Sequence, residues 1–255
     1  MTLRRFYAEP EAFLRTPGQV TLSEEESRHL RDVLRLRAGD EARVFDGEGR
    51  EFACVVAEAG GRKGAARLEV RGAVEPPSPE PPVFILLAVA LLKGEKFDLV
   101  VQKAVELGVG LIKPLLTKRA DVRLHDGRDA AKRVERWKRL ALEAAKQSGR
   151  ARVPAVDPPW QFETFATADD PGMDLLQVMF AERRGVGLNE LPQRDSPPLR
   201  VAALVGPEGG WEDGEIELAR AHGWHVVTLG GRTLRAETAA ITVCALLQHL
   251  YGDLK

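Results

Sequence analysis

The sequence predicts an α/β protein of two domains, a small strand-rich domain followed by a larger one built on a mainly parallel sheet. Three observations carry this. Residues 41–74 contain three short strand-like pieces separated by glycine-bearing turns. EPPSPEPP (75–82) places five prolines in eight residues, which can form neither a helix nor a central strand and reads as an extended spacer. Beyond it, apolar strand-like runs alternate with helical segments five times, the pattern of a parallel sheet covered by helices. The boundaries that follow are 1–74, a linker at 75–82, and 83–255.

Leu3–Ala8 reads as a first strand, in which Arg4 and Arg5 stand beside Phe6 and Tyr7. Cations next to stacking surfaces suit RNA, and an edge strand with two exposed arginines would look the same. Residues 23–40 read as a helix. Ser23 and Glu26 have capping-box spacing, Leu30, Val33, Leu34 and Leu36 supply an apolar face, and Gly39 ends it. His29 fits a partly buried helix position. The strand-like pieces 41–46, 51–59 and 65–74 follow, with the Asp-Gly hairpin signal in DGEG (46–49). One helix among several short strands fits a small β-barrel.

VFILLAVALL (83–92) is a buried strand and 94–108 a helix with Phe97, Val100, Val101, Ala104 and Leu107 on one side. LIKPLL (111–116) is a strand that Pro114 demotes toward an edge or bulge. Residues 126–149 form a long helix that ends at Gly149, with Val134, Trp137, Leu140, Ala141 and Ala144 as its apolar stripe. VDPPW (156–160) is a turn, Phe162–Thr167 a short helix, and 175–182 another strand, with a loop over 183–198. VAALV (201–205) and HVVTL (225–229) are apolar without alternation, as strands buried on both faces are. A helix spans Asp213–His222 between them, and Ala236–Tyr251 closes the chain as a last helix.

Bulk properties exclude several classes. A composition of 44% hydrophobic and 29% charged residues is that of an ordinary soluble protein. The 83–92 run is too short to span a membrane, and the N-terminus has no apolar signal core, so a cytoplasmic protein with no membrane partner is expected. Cys54 and Cys244, far apart in apolar segments, read as buried free thiols. His222 and His225 have H-x-x-H spacing without a third ligand, so no metal is expected. A formal net charge of −1 argues against indiscriminate polyanion binding. Within 113–152, however, thirteen Lys/Arg face five acids, which fits either a phosphate-attracting cluster or a solvated helix face.

The chemistry concentrates at Leu199–Ala240. Each of its two strands runs straight into a glycine-bearing turn, GPEGG (206–210) and GG (230–231), and then toward a helix. Strand ends of this kind make ligand crevices in open α/β sheets. Neither G-x-G-x-x-G nor G-x-x-x-x-G-K-[ST] is present. Pro207 has no N–H and Glu208 is negative, both wrong for an anion cradle. The glycines either make tight turns only or let the backbone approach a neutral or cationic ligand closely.

GPEGGW (206–211) together with LGGRTLRAETAAI (229–241) resembles the paired cofactor motifs of the SPOUT methyltransferases, and within them the RsmE-type family, which methylates N3 of a uridine in small-subunit ribosomal RNA. KGEKFDLVVQKAVELGV (93–109), TKRA (117–120) and EAAKQSGRARVPAV (143–156) fit the same family. Gly231 departs from it, standing where a proline is often found. The resemblance implies a PUA-like N-terminal barrel that binds RNA, a C-terminal trefoil knot, a homodimer, and S-adenosyl-L-methionine as cofactor. It implies a cofactor pocket from Phe180, Ala181, Glu182, Leu204, Val205, Gly206, Gly209, Gly210, Leu229, Gly230, Leu234, Arg235, Ala236, Glu237, Thr238, Ala239 and Ala240. Glu208 is left between a dimer role and a role in the sulfonium's field. Neutral uracil is a poor nucleophile at N3, so a base must remove the proton or a cation must stabilise the anion. Arg235 and Arg232 are the candidate cations and Glu237 the candidate base, although a glutamate in a helix's first turn is also favoured by the dipole alone. Arg4, Arg5, Lys118, Arg119 and Arg150 are the candidate RNA contacts, and 16S ribosomal RNA or the small ribosomal subunit is the expected partner. A SPOUT enzyme for another rRNA or tRNA position, or a non-catalytic RNA-binding assembly factor, stays open.

Overall fold

The computed structural model describes residues 4–61, 64–124, 126–168, 175–192 and 196–255. It divides into two compact units, Met1–Glu80 with Ala145–Val153, and Pro81–Ala144 with Pro154–Lys255. Residues 145–153, read from the sequence as part of the C-terminal domain, thus belong to the first unit.

The first unit comprises β1 (Arg5–Tyr7), α1 (Pro10–Leu14), β2 (Gln19–Thr21), α2 (Glu24–Arg28), β3 (Glu41–Phe45), β4 (Glu51–Glu58) and β5 (Arg67–Val74). The strands form one sheet in the order β1-β3-β4-β5-β2, with β1 parallel to β3 and the other pairs antiparallel. β1 and β2 are its edges, so the sheet is a half-barrel and not the closed barrel expected from the strand count. Phe6, Val20, Leu30, Val44, Val56 and Leu68 fill its concave core. β2 and α1 are too short to leave a periodic signal in the sequence.

The expected 23–40 helix ends early. Ser23 Oγ accepts from Glu26 N at 3.2 Å, but only half of the box forms, because Glu26 Oε1 instead accepts from Lys146 Nζ at 2.6 Å. After Arg28 the chain makes a π-helical turn at His29–Val33, and Arg35 adopts φ 55°. The wider turn shifts the helical register. Leu30 and Leu36 are buried, while Val33 is 67% and Leu34 37% exposed, so the expected four-residue apolar face does not exist. The His29 ring meets Phe6 edge-on at 5.9 Å.

The second unit holds β6 (Phe84–Ala90), α3 (Lys96–Glu106), β7 (Leu111–Leu116), the N-terminal part of α4 (Gly127–Ser148), β8 (Ala155–Val156), β9 (Trp160–Gln161), α5 (Phe162–Ala166), β10 (Leu175–Phe180), β11 (Arg200–Val205), α6 (Asp213–Ala221), β12 (His225–Val227) and α7 (Ala236–Tyr251). All strand pairs in its sheet are parallel, in the order β12-β10-β11-β6-β7, with β8 and β9 both on the far side of β7. β7 is therefore interior and pairs with β6 without a register shift, so neither the edge nor the bulge expected from Pro114 is found. The proline is tolerated because β8 pairs only with Leu111 and Ile112 and β9 only with Leu115 and Leu116. The gap between them falls at Lys113 and Pro114.

β10, β11 and β6 are buried along nearly their whole length, which explains their unbroken apolar runs. Ala88, Met179, Ala202 and Leu204 meet Phe162, Trp211, Ile216 and Trp224 in one core. The alternate residues Val89, Val178, Val201 and Ala203 are equally buried, and α7 packs against β6, β11 and α3. Trp137 of α4 donates Nε1–H to Asp98 at 3.1 Å and lies 4.4 Å from the Phe97 ring. Cys54 and Cys244 are buried free thiols, and desolvation pushes both pKa values up to about 12.

Candidate active site

β12, β10 and β11 are neighbours, and their carboxyl ends release the chain into three loops, 181–187, 206–212 and 228–235. Together with the start of α7 these enclose a cavity of about 250 Å³. The strand ends Phe180 and Val205 supply its floor, Gly206, Pro207, Gly210 and Trp211 one wall, and Thr228 to Leu234 with Ala236 and Ala239 the other.

The first corner is tightly held. Trp211 is fully buried and donates Nε1–H to the Phe180 carbonyl at 2.9 Å. A Cβ on Gly206 would sit 3.0 Å from its indole, and a Cβ on Gly210, at φ +67°, would run into the Glu182 carboxyl group. Both glycines are thus required by close approach, not only by turn geometry. Glu215 closes a capping box at α6, accepting from Glu212 N at 2.8 Å, and also accepts from Lys118 N at 3.1 Å. Arg119 Nη1 donates to the carbonyls of Gly209 and Trp211 at 3.4 Å. Glu208 accepts from Lys96 Nζ at 2.9 Å. Burial pushes the Glu208 carboxyl up, but hydrogen bonds from Lys96 and from two backbone N–H groups outweigh it and hold it below the ordinary value.

The second corner is open. Gly230 at φ +97° and Gly231 would meet nothing within 4 Å on gaining a Cβ, and residues 230–235 are exposed. Among the described residues the corner is fastened only where it leaves β12. There Thr228 Oγ1 accepts from Gly185 N at 3.1 Å, and Thr228 N donates to Val186 O at 2.9 Å. Arg235 is the N-cap residue of α7, with no side-chain capping bond.

Of the residues expected at the cofactor, Phe180, Ala181, Glu182, Val205, Gly206, Gly210, Leu229, Gly230, Leu234, Ala236 and Ala239 line the cavity. Leu204 does not, because strand alternation turns it into the core. Ala240 is fully buried, Gly209 packs on Arg119, and Arg235 and Thr238 are exposed beside the cavity without lining it. The lining also includes Pro207, Trp211, Thr228, Gly231 and Thr233, which the sequence reading missed. Among the candidate catalytic residues only Arg232 lines the cavity. Glu237 is on α7 with its side chain 13% exposed, 4.0 Å from Lys96 Nζ.

The candidate RNA contacts divide. Arg4 is exposed, as are Lys118 and Arg119, each 3.8 Å from Glu212. Arg5 must be removed from the set. It is buried, its guanidinium forks onto Glu51 at 2.7 and 3.2 Å, and it donates to the carbonyls of Ala145, Lys146 and Arg150. Arg150 is removed likewise, buried and paired with Glu80 at 2.6 and 3.0 Å. Arg5 holds 145–153 to β1 of the half-barrel, and Arg150 holds it to the proline-rich stretch. The excess of positive charge over 113–152 shrinks further through two acids from outside the stretch, in Lys113–Asp157 and Arg136–Asp98. Lys113 is itself buried, 3.9 Å from the centre of the Trp160 ring. Among the described residues there is no cluster of metal-ligating side chains and no helix long and apolar enough to cross a membrane.

A parallel sheet whose strand ends carry a glycine-walled cavity is matched by a family described as RNA methyltransferase domain, over residues 79–248. Residues 22–69 match the RNA methyltransferase PUA domain. The ribosomal RNA small subunit methyltransferase E of Synechocystis is 32% identical, over 96% of this chain and 77% of that protein. Its Bacillus subtilis counterpart is 29% identical over 91% and 92%. The crystal structure of the Neisseria gonorrhoeae ribosomal RNA small subunit methyltransferase E, bound to S-adenosyl methionine, superposes with a TM-score of 0.85 at 31% identity, covering 99% of this chain and all of that one. A Legionella pneumophila structure in complex with the same cofactor gives 0.86 at 33%, covering both chains fully. The chain belongs to the RNA methyltransferase family, as a member of its ribosomal RNA small subunit methyltransferase E group.

Proposed function

We propose that the chain is an S-adenosylmethionine-dependent methyltransferase acting on ring nitrogen N3 of one uridine in 16S ribosomal RNA. The observation that carries this is the cavity between the two glycine corners, with Arg232 in its wall and Arg235 beside it. The residues fit the cofactor. Phe180, Val205, Leu229 and Ala239 make an apolar slot for a flat base, and the Gly206 and Gly210 positions are kept clear of side chains. Glu182 at the rim supplies an acceptor, and no lining residue except Arg232 carries positive charge, as a cationic ligand requires.

S-adenosylmethionine, when bound, supplies an electrophilic methyl group on a sulfonium. The remaining work falls to this chain. The cavity walls align donor and acceptor, where most of the rate of an in-line displacement arises. As N3 loses its proton, negative charge spreads onto the uracil oxygens, and Arg235 and Arg232 stabilise it. Glu237 accepts the N3 proton.

The same reading includes a trefoil knot, a homodimer and a cytoplasmic site of action. The knot is supported by strand order. β12 lies at the edge beyond β10, while α7 packs on β6 and β11, so residues 228–235 must cross back toward the middle of the sheet. Sedimentation at twice the chain mass tests the dimer.

The deciding experiment maps methylation on ribosomal RNA from a strain lacking the protein and from the same strain complemented. Loss and return of a single N3-methyluridine is expected. A missing mark at another rRNA or tRNA position would redirect the reading to a different substrate. Titration with S-adenosylmethionine should raise the melting temperature, by about 2.7 kcal/mol of stability at a hundredfold excess over Kd. No stabilisation would leave a non-catalytic RNA binder.

A further inference from the structure

Lys96 belongs to neither glycine corner and does not line the cavity, yet it stands between the two segments that form it. Its Nζ donates to Glu208 Oε1 at 2.9 Å and lies 4.0 Å from Glu237 Oε2. Glu208 directly follows Pro207, and Glu237 directly follows Ala236; both of those neighbours line the cavity. One ammonium group therefore ties the first corner to the start of α7, from the N-terminus of α3.

The two carboxylates are unequally served. Glu208 also accepts from backbone N–H groups, its own and that of Lys93. Glu237 Oε2 is buried and has no hydrogen-bond partner, a rare condition for a carboxylate oxygen in a folded protein. A lysine has three donors, and at 4.0 Å the interaction with Glu237 is Coulombic and not a hydrogen bond. Glu237 thus keeps a buried oxygen without a hydrogen-bond donor, with a cation beside it.

We infer that Lys96 is a positioning residue for methyl transfer: it anchors the GPEGG corner through Glu208 and orients Glu237 at the start of α7 for the substrate. This rests on the proposed function for the identity of the substrate, but not for the anchoring. Without the ammonium, two carboxylates that each follow a cavity-lining residue would be left without the cation they share.

The test uses the full chain, with S-adenosylmethionine binding and RNA methylation measured separately. Lys96→Met should fold, weaken cofactor binding about tenfold and lower kcat about a hundredfold, and Lys96→Arg should keep most of both. Unchanged affinity and turnover in Lys96→Met would overturn the inference. The exchange variant Lys96→Glu/Glu208→Lys separates the two halves of the claim. It rebuilds the pair that anchors the corner but places a carboxylate toward Glu237. Restored cofactor affinity with kcat still low supports both halves. Restoration of both quantities removes the role toward Glu237, and restoration of neither in a variant that melts normally removes the anchoring role. Should the unmodified protein methylate no RNA at all, the proposed function fails, while the affinity measurements still decide the anchoring half.

Discussion

The two glycine corners look alike in sequence and are built in opposite ways. The 206–212 corner is held by Lys96, Arg119, Lys118 and Glu215 from outside and by the buried indole of Trp211 from beneath. In the 228–235 corner no side chain of Arg232, Thr233 or Arg235 makes a hydrogen bond or ion pair among the described residues, and the glycines face open space. The first corner is a preformed wall. The second has few contacts to lose, so it can adjust to a ligand, as segments with low contact density do. Similar glycine content thus serves close packing in one place and accommodation in the other.

Four substitutions break or sharpen this contrast. The largest effect is expected from Arg235→Ala, which should lower turnover by about 3 kcal/mol of transition-state stabilisation while cofactor affinity, measured by calorimetry, stays within about twofold. A parallel collapse in affinity would make the open corner a binding wall like the first. Next comes Gly210→Ala, which combines a positive φ with a collision at Glu182. It should cost about 2 kcal/mol in thermal or urea unfolding and weaken the cofactor more than tenfold. Trp211→Phe removes one buried hydrogen bond and opens a small void, for about 1–2 kcal/mol of stability. The carbonyl of Phe180 left without its donor accounts for much of that. Gly231→Ala should change stability by less than about 0.5 kcal/mol, since nothing lies near its added methyl and its φ is not in the left-handed region. A cost as large as that of Gly210→Ala would show that the second corner is as rigid as the first.

β6, β7, β10, β11 and β12 were legible because burial leaves apolar runs, and α3, α4 and α7 because each presents a helical period. β8 and β9, two residues each, leave no run, and their stretch, VDPPW (156–160), reads as a turn. The 23–40 helix was misread for a physical reason. A π-helical turn changes the register without changing the composition, so Val33 and Leu34 look like core and are exposed. Pro114 misled similarly, since a gap between two short partner strands is invisible in a linear pattern.

What the chain's residues determined unaided is the alternation of elements, the place of the proline-rich stretch, the buried thiols and the glycine corners with their wrong chemistry for phosphate. These are properties of near neighbours along the chain, set by local sterics and hydrophobic period. Only the tertiary structure decided which charges are available. Arg5 and Arg150 carry the same guanidinium as Arg232 and Arg235. The first two are sequestered by Glu51 and Glu80, 46 and 70 residues away in sequence, and the last two are left exposed. Lys96 likewise meets Glu208 across 112 residues. Ion pairing depends on distance in space, and no local pattern records which partner the fold will bring.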